Sequence, residues 1–243
     1  PAKGGFTKRD GLSSQFLTSI LVSAPLFSGD TEIELTRLNE IPYVEITTWW
    51  LDKFNIKYTK SPDYMKFTVK GGQSYKPFKQ TIPADFSTAT FFIVLAAISG
   101  GEFKLKNLDM TDPQGDKEVL NIIKKMGATV TINDEYITVK GGKLKGIEID
   151  MNAIPDALPA LAVAGCFAEG ETKLYNVLQA RYKETDRIKV MCTELKKMGA
   201  DIEELEDGLI IRNSKLKGTS LSGHHDHRVV MSLAIAGLCC DVE

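Results

Sequence analysis

Charged side chains of both signs are concentrated in one short segment, ARYKETDRIKV. Within it, Lys183 and Arg187 are four residues apart and face the same way if the segment is helical. Glu184 lies between them, whereas Asp156 and Arg228 stand at the heads of two other predicted helices. Carboxylates among cations are suited to proton transfer beside an anionic substrate, and arginine can bind a carboxylate or phosphate through two parallel hydrogen bonds. The alternative is a solvated charged turn without a function, and the pattern alone does not decide between the two.

A repeat of about seventy residues supplies the elements that must position these side chains. Three segments end alike, WWLDKFNI, NIIKKMGA and TELKKMGA, and their equivalent residues Phe54, Met126 and Met198 follow one another at a spacing of 72 residues. Each unit is predicted to contain an apolar inner helix, a strand, an amphipathic outer helix and two short strands. The predicted fold class is therefore α/β, built from repeats.

The two predicted helices of a unit differ in their polar faces. In the outer helix of the third repeat, Ile188, Met191 and Leu195 lie on one apolar stripe, whereas Glu194 and Lys197 lie off it and are expected in solvent. The inner helices, within ALPALAVAGCFA and RVVMSLAIAGLCC, are apolar nearly all round. A helix without a polar face is predicted to be covered on every side.

Short polar segments precede the inner helices. They are SSQ at 13–15, DFST at 85–88, PD at 155–156 and DHR at 226–228. Ser, Thr and Asp accept hydrogen bonds from the first free N–H groups of a helix, so each segment is first interpreted as an N-cap. Helix N-termini that lie side by side also attract phosphate or carboxylate groups, which makes one shared anion site a second interpretation.

The composition excludes several classes of protein. With 43% hydrophobic and 26% charged residues, the 243-residue chain is typical of a globular protein of one or two domains. Thirty basic against thirty-two acidic residues give a net charge of -2, which favours neither nucleic acid nor a membrane surface as a partner. The four cysteines have neither metal-ligand nor disulfide-framework spacing, and no signal peptide is visible, so a cytoplasmic location is predicted.

Four segments together resemble the 5-enolpyruvylshikimate-3-phosphate (EPSP) synthase family, the 3-phosphoshikimate 1-carboxyvinyltransferases. They are GLSSQFLTSILVSAPL, IPDALPALAVAGCFAEGETKL, RYKETDRIKVMCTELKKMGADIE and HDHRVVMSLAIAGL. The resemblance implies enolpyruvyl transferase-like repeats in two lobes, with the active site in the cleft between them. Residues 1–83 then resemble the last repeat of the N-terminal lobe, and residues 84–243 resemble two repeats and the start of a third from the C-terminal lobe. The chain is therefore expected to lack most of the N-terminal lobe and the C-terminal end.

The implied reaction transfers the enolpyruvyl group of phosphoenolpyruvate to the 5-hydroxyl of shikimate 3-phosphate, giving 5-enolpyruvylshikimate 3-phosphate and phosphate. This is a step of the shikimate pathway, towards chorismate and the aromatic amino acids, and it needs no metal or other cofactor. The implied partners are the two small-molecule substrates and the missing remainder of the enzyme. Because cations from that remainder belong to the site, the chain alone is expected to be inactive.

The resemblance also implies roles for the residues that match the family's motifs. Asp156 is implied to be the base for the 5-hydroxyl, and Glu184 the group that gives and takes the proton of the methylene carbon. Phosphoenolpyruvate is implied to contact Gln15, Arg187 and Arg228. The residues implied to bind shikimate 3-phosphate are Ser13, Ser14, Gln15, Tyr43, Asp156, Gln179 and Lys183.

Two positions depart from the family's pattern. Gln179 stands where the family usually has asparagine, one methylene shorter. Glu40 stands in EIPY where the family commonly has the serine of SKPY, which adds to the phosphate site. A carboxylate about 4 Å from a phosphate costs roughly 1 kcal/mol in water and about 4 kcal/mol near a protein surface, per pair of unit charges. Either Glu40 points away, a cation neutralises it, or shikimate 3-phosphate is bound more weakly, and the last is our hypothesis.

Three other interpretations remain open from the sequence. A UDP-N-acetylglucosamine enolpyruvyl transferase has the same fold and chemistry, although the SSQ and KETDR motifs favour the shikimate enzyme. A non-catalytic lobe that binds an anion is the second. The third is a metal site at His224, His225, Asp226 and His227, which is disfavoured because adjacent histidines on a turn point in different directions.

Overall fold

The structure, a computed structural model, describes residues 2–240 and divides into two compact units. Unit 1 comprises residues 2–82 and 111–115, and unit 2 comprises residues 83–110 and 116–240. Each unit has an apolar core of its own. Helices and strands alternate through both units, which confirms the predicted α/β class.

Unit 1 is one repeat preceded by a strand. Its elements are β1 Gly5–Gly11, α1 Ser14–Ser23, β2 Thr31–Leu38, α2 Ile41–Lys53, β3 Tyr58–Lys60 and β4 Lys66–Val69. The strands form one sheet in the order β1-β2-β4-β3, in which β1 and β2 are parallel and the other pairs antiparallel. Helix α1 makes the crossover that a parallel pair needs. Leu17 and Leu21 of α1 are fully buried with Val44 of α2 in the core of this unit.

Unit 2 repeats the pattern of inner helix, strand, outer helix and strands. Its first repeat has α3 Phe86–Ser99, β5 Glu102–Lys106, α4 Glu118–Met126, β6 Thr129–Ile132 and β7 Tyr136–Lys140. Its later elements are β8 Glu148–Asp150, α5 Leu158–Phe167, β9 Glu171–Tyr175, α6 Arg187–Lys197, β10 Asp201–Leu205, β11 Gly208–Arg212 and α7 His227–Cys239. One sheet has the order β5-β7-β6 and the other β10-β11-β9-β8, with only β8 and β9 parallel.

The three inner helices of unit 2, α3, α5 and α7, pack against one another. In α5 every residue from 158 to 166 is buried, which confirms that this helix is covered on all sides. Helix α7 departs from the prediction, because Val230, Ala234 and Leu238 on one face are exposed. Helices α3 and α5 pack against strands that follow them in sequence, α3 against β5 and β7 and α5 against β9 and β11.

The outer helices of unit 2 are amphipathic, and each is followed by a glycine. Gly127 and Gly199 follow α4 and α6 with φ of 122° and 91°, a backbone conformation that favours glycine. The apolar stripe of α6 is buried, but Glu194 is buried too, which contradicts its predicted exposure. Hydrogen bonds to its carboxylate make this burial possible. Over residues 2–240, none of the helices is both long and apolar enough to cross a membrane.

Candidate active site

The charged segment is not helical at Lys183. Helix α6 begins only at Arg187, because Asp186 caps it by accepting a hydrogen bond from the backbone N–H of Lys189 at 3.0 Å. The predicted alignment of Lys183 and Arg187 on one helix face is therefore wrong. The two cations nevertheless reach the same carboxylate, because Lys183 Nζ lies 3.9 Å and Arg187 Nη1 2.8 Å from Asp156 Oδ1.

Asp156 is not a helix cap, contrary to the first interpretation of its position. It lies in the short 3₁₀ turn Pro155–Ala157 that leads into α5, and no side chain caps that turn or the helix. Its carboxylate instead joins the two arginines. Arg187 donates to Oδ1 at 2.8 Å, and Arg228 Nη2 forms an ion pair with Oδ2 at 3.0 Å. Asp156 thereby links α6 to the first turn of α7.

Arg187 is the centre of the cluster and, with a side chain only 1% exposed, does not belong to a cationic surface. Its Nε donates to Asp226 Oδ2 at 2.8 Å, and its Nη2 donates to Glu184 Oε2 at 2.5 Å. Together with the bond to Asp156, every nitrogen of the guanidinium donates to a carboxylate. Burial opposes its charge, but the hydrogen bond to Asp226 and the three neighbouring negative charges raise the pKa of Arg187 above its ordinary value.

Asp226 is the carboxylate that holds Arg187 from the side of α7. Its side chain is fully buried, and it also caps α7 by accepting from the backbone N–H groups of Arg228 and Val229. Burial by itself raises the pKa of Asp226, but the bond from Arg187 and the two N–H groups lower it below its ordinary value. The sequence indicated only the capping role of this residue.

Arg228 has a buried donor without a partner among the described residues. Its Nη2 donates to Ser87 Oγ at 2.8 Å and lies 3.0 Å from Asp156 Oδ2 in an ion pair, but its Nη1 is buried and makes no hydrogen bond to any part of residues 2–240. Buried polar atoms are rarely left in this state, and a guanidinium donor is of the kind that binds carboxylate or phosphate oxygens. Ser87 lies in the first turn of α3, after the cap Asp85. The sequence indicated only a helix-capping segment here, whereas the Ser87 hydroxyl accepts a hydrogen bond from Arg228.

The side chains of Glu184 and Gln179 differ in their exposure to solvent. The Glu184 side chain is 48% exposed, and its carboxylate accepts a hydrogen bond from Arg187. Gln179 is 2% exposed, and its Nε2 donates to the carbonyl oxygen of Asn152 at 3.2 Å. The amide of Gln179 is therefore engaged by the protein itself.

Arg181, in the same charged segment, has a structural role. Its Nη1 donates to Asp186 and Glu204 at 2.8 Å, and its Nε and Nη2 donate to the carbonyl oxygens of Glu206 and Leu205. These bonds fix the segment to the turn between β10 and β11. The charges of this segment thus divide into an anchor at Arg181 and a cluster around Arg187.

In unit 1 the SSQ segment begins α1, as predicted. Ser13 is the N-cap and accepts from the backbone N–H of Gln15 at 3.4 Å. Ser14 is not open to a ligand in this structure, because its hydroxyl and its N–H both donate to Glu40 Oε2, at 2.7 and 3.1 Å. Glu40 therefore does not point away from the serine pair. Tyr43 lies half-buried in the first turn of α2, after Glu40.

The model of the family described as EPSP synthase (3-phosphoshikimate 1-carboxyvinyltransferase) matches residues 2–243. The chain belongs to the EPSP synthase family. The family resemblance of the four segments and the enolpyruvyl transferase-like fold are thereby confirmed.

The relatives and the solved structure that the chain resembles support the same family assignment. A 3-phosphoshikimate 1-carboxyvinyltransferase of Acetivibrio thermocellus is 65% identical over 241 residues, which is 99% of this chain and 57% of that protein. One of Methanococcus maripaludis is 45% identical, over 97% of this chain and 56% of that protein. The structure of EPSP synthase from Acinetobacter baumannii superposes with a TM-score of 0.80 at 30% identity, over 98% of this chain and 57% of that chain. The chain thus spans somewhat more than half the length of the EPSP synthases it matches.

The histidine turn before α7 does not form a metal site of the usual kind. Among residues 2–240, no group of three or more His, Cys, Asp or Glu side chains could hold a metal ion. His224 Nε2 instead lies 2.8 Å from Glu194 Oε1, and Asp226 is engaged by Arg187. In this EPSP synthase family member, those side chains serve the protein's own structure.

Proposed function

We propose that the protein transfers the enolpyruvyl group of phosphoenolpyruvate to the 5-hydroxyl of shikimate 3-phosphate, releasing phosphate, as the names of its relatives indicate. The observation that carries this proposal is the buried Nη1 of Arg228 beside Asp156, which has no partner among the described residues. A guanidinium donor and a carboxylate side by side suit an anionic substrate that must also exchange a proton. The reaction belongs to the shikimate pathway, and a cytoplasmic location fits four cysteines that are all unpaired thiols.

We infer that Arg228 is the first contact for phosphoenolpyruvate. Its Nη1 can donate to a carboxylate or phosphate oxygen without breaking any bond of the protein. Arg187 differs, because each of its nitrogens already donates to a carboxylate. Phosphoenolpyruvate can engage Arg187 only by displacing one of these carboxylates, and the half-exposed Glu184 is the most easily moved.

The displacement of Glu184 has a chemical use. Once an anion takes its place on Arg187, the carboxyl group of Glu184 is released next to the bound substrate. There it can give a proton to the methylene carbon in the addition step and take one back in the elimination step. The arginines meanwhile hold the negative charges of the substrate against their mutual repulsion.

Asp156 is proposed as the base for the 5-hydroxyl. An ionised carboxylate offers about four lone-pair positions, and the hydrogen bond from Arg187 uses one of them, while Arg228 is held by an ion pair. One of the others can accept the hydroxyl proton as the oxygen attacks. Lys183, with its Nζ 3.9 Å from Asp156, is proposed to bind shikimate 3-phosphate on this unit, together with Gln179.

On unit 1, Ser13, Ser14, Gln15 and Tyr43 are proposed to bind shikimate 3-phosphate, and Gln15 phosphoenolpyruvate as well. The bonds from Ser14 to Glu40 count against a strong phosphate contact here. We therefore retain the hypothesis that shikimate 3-phosphate is bound more weakly than by a protein with serine at position 40. We propose a further partner, equivalent to the part of the relatives that this chain does not match, because their chains extend beyond the matched part.

The experiment that tests this function is phosphate release by the 243-residue chain, given phosphoenolpyruvate and shikimate 3-phosphate. Turnover that is lost in Glu184→Gln and kept in Glu171→Gln, a glutamate on β9 paired with Arg212, supports the proposal. If the chain alone is inactive, the same assay is made after it is joined to the remaining part of a relative. Absence of turnover in both forms contradicts the proposed function and favours an anion-binding role.

A further inference from the structure

Glu194 is a fully buried carboxylate on the outer helix α6, at a position where the sequence predicts a solvent-facing side chain. Lys197, one turn further along the helix, donates to both of its oxygens, at 2.7 and 2.9 Å. The other two partners come from the segment before α7. Ser222 donates its backbone N–H at 3.0 Å, and His224 Nε2 lies at 2.8 Å.

These four contacts explain how a charge can be buried at this place. Burial by itself raises the pKa of Glu194, but the bonds from His224, Lys197 and Ser222 lower it to about 2. The side chain is therefore a carboxylate, which can only accept hydrogen bonds, so His224 must carry a hydrogen on Nε2. Lys197 alone would neutralise the charge. The bonds to Ser222 and His224 add a fixed geometry between α6 and the segment that precedes α7.

That segment contains an unfavourable backbone. His224 and His225 have φ of 48° and 60°, in the left-handed region that residues other than glycine seldom adopt. The turn is closed by a hydrogen bond from the N–H of Asp226 to the carbonyl oxygen of Gly223 at 2.9 Å. Such a conformation persists only where its surroundings determine it. Glu194 provides this constraint at one end of the turn, and the cap of α7 by Asp226 provides it at the other.

The residues that follow the turn belong to the candidate site. Asp226 accepts from Arg187 Nε, and Arg228 forms an ion pair with Asp156 and donates to Ser87. A shift of the turn moves both Asp226 and Arg228, because Asp226 ends the turn as the N-cap of α7 and Arg228 lies in the first turn of that helix. The positions of both arginines relative to Asp156 therefore depend on how the turn is held.

We propose that Glu194 is a positioning residue, which acts through His224 and Ser222 to hold the turn at 222–226 and thereby sets Arg187 and Arg228 against Asp156. Glu194 touches none of the reacting groups proposed above. The inference rests on the proposed function only where it concerns substrate, since the placement of Arg187 can be measured without any ligand.

The test uses the full 243-residue chain with two variants and one control. Glu194→Gln removes the charge, and His224→Asn shortens the side chain so that it no longer reaches Glu194. Asparagine tolerates the left-handed backbone at least as well as histidine, so a change in His224→Asn reports the lost contact and not added strain. His224 is partly exposed, so His224→Asn keeps the test valid if Glu194→Gln does not fold. The matched control is Glu171→Gln, which removes an ion pair with Arg212 on the sheet.

Two measurements are made on each protein well below its Tm. The first is solvent exchange of the Nε–H of Arg187, followed by ¹H–¹⁵N NMR, because this donor is buried against Asp226. The second is phosphoenolpyruvate affinity by calorimetry. We expect exchange to accelerate and affinity to fall, each by about tenfold or more, in both variants and not in the control, because a small displacement of a binding group has a large effect.

The outcomes separate this inference from the proposed function. Unchanged exchange and affinity in His224→Asn overturn the positioning role, even if its Tm falls, because that result describes a purely structural contact. If the unmodified chain does not bind phosphoenolpyruvate, the result counts against the proposed contact at Arg228 in this chain, and the exchange of Arg187 alone decides the inference. Faster exchange in both variants then still supports it.

Discussion

Ser14 donates both its hydroxyl and its backbone N–H to one oxygen of Glu40, at 2.7 and 3.1 Å. A buried carboxylate thus occupies the donors at the N-terminus of α1, where a helix attracts an anion. Glu40 itself has φ of 60°, and Pro42 follows in the first turn of α2. The Glu40 carboxylate thus lies on the Ser14 donors that the family resemblance assigns to a substrate phosphate.

Glu40→Ser is expected to strengthen shikimate 3-phosphate binding, because it removes a negative charge that competes for Ser14. Removal of one repulsion near 4 Å corresponds to roughly 1 kcal/mol in water, about fivefold in affinity, and to more at a partly buried site. Calorimetric titration with shikimate 3-phosphate measures the change. The control Glu32→Ser alters an exposed glutamate of β2 and should have no effect. Equal affinity in Glu40→Ser and the unmodified chain would refute the hypothesis.

Arg228→Gln is expected to weaken phosphoenolpyruvate binding by about tenfold to hundredfold, the usual size of a hydrogen bond to a charged group. Arg228→Lys keeps the charge but loses the two-pronged donor geometry, so its affinity should lie between the two. Arg212→Gln is the control, because Arg212 is half-exposed and pairs with Glu171 on the sheet. The prediction fails if Arg228→Gln binds phosphoenolpyruvate as well as this control does.

Asp156→Asn is expected to lower kcat for phosphate release by about a hundredfold or more, because an amide cannot take the hydroxyl proton. The measurement is made on whichever form of the protein shows turnover. Asp134→Asn, at an exposed turn between β6 and β7, controls for the loss of a charge. Turnover retained in Asp156→Asn would assign the proton transfer to another group.

Acid should destabilise the protein partly through Glu194. Its pKa is lowered from 4.5 to about 2 in the folded protein, so its stabilising contribution is complete above pH 4.5 and is lost as the pH falls towards 2. The free energy of unfolding should therefore fall less steeply over this range in Glu194→Gln than in the unmodified chain. Urea unfolding is best followed by circular dichroism, because Trp49 and Trp50, the two tryptophans, both lie in unit 1.

Glu194→Gln should also lower the stability of the folded protein at neutral pH. An uncharged amide accepts hydrogen bonds from Lys197 and His224 less well than the Glu194 carboxylate does. Glu194→Gln should therefore lose about 1–3 kcal/mol of stability at pH 7. Glu171→Gln, whose parent glutamate is half-exposed, should lose less than about 1 kcal/mol and keep the original pH dependence. Identical acid sensitivity of Glu194→Gln and the unmodified chain would show that another carboxylate dominates.

Several elements could be predicted from local sequence because their causes are local. Helix α5 is apolar on every face and is buried on every face, and α4 and α6 end where glycine permits a positive φ. The caps at Ser13, Asp85 and Asp226 were recognisable because Ser and Asp satisfy the first N–H groups of a helix wherever it lies.

Asp156 and Glu194 could not be placed in this way. Asp156 had the pattern of a cap but joins two arginines that are 31 and 72 residues further along the chain. Glu194 had the pattern of a solvent-facing residue but is buried, because Ser222 and His224 supply donors from another segment. The sequence of a helix shows which side chains are polar, but not which distant donors will meet them.

By itself the sequence determined the repeat, the helix and strand types, the family and the set of residues that could do chemistry, since these depend on residue type and short-range spacing. Only the tertiary structure decided that Arg187 is a buried centre held by three carboxylates, that Arg228 keeps a donor unpaired within the described chain, and that Glu40 rests on Ser14. The physical reason is that the cost of burying a charge is offset only by partners brought together from distant parts of the chain.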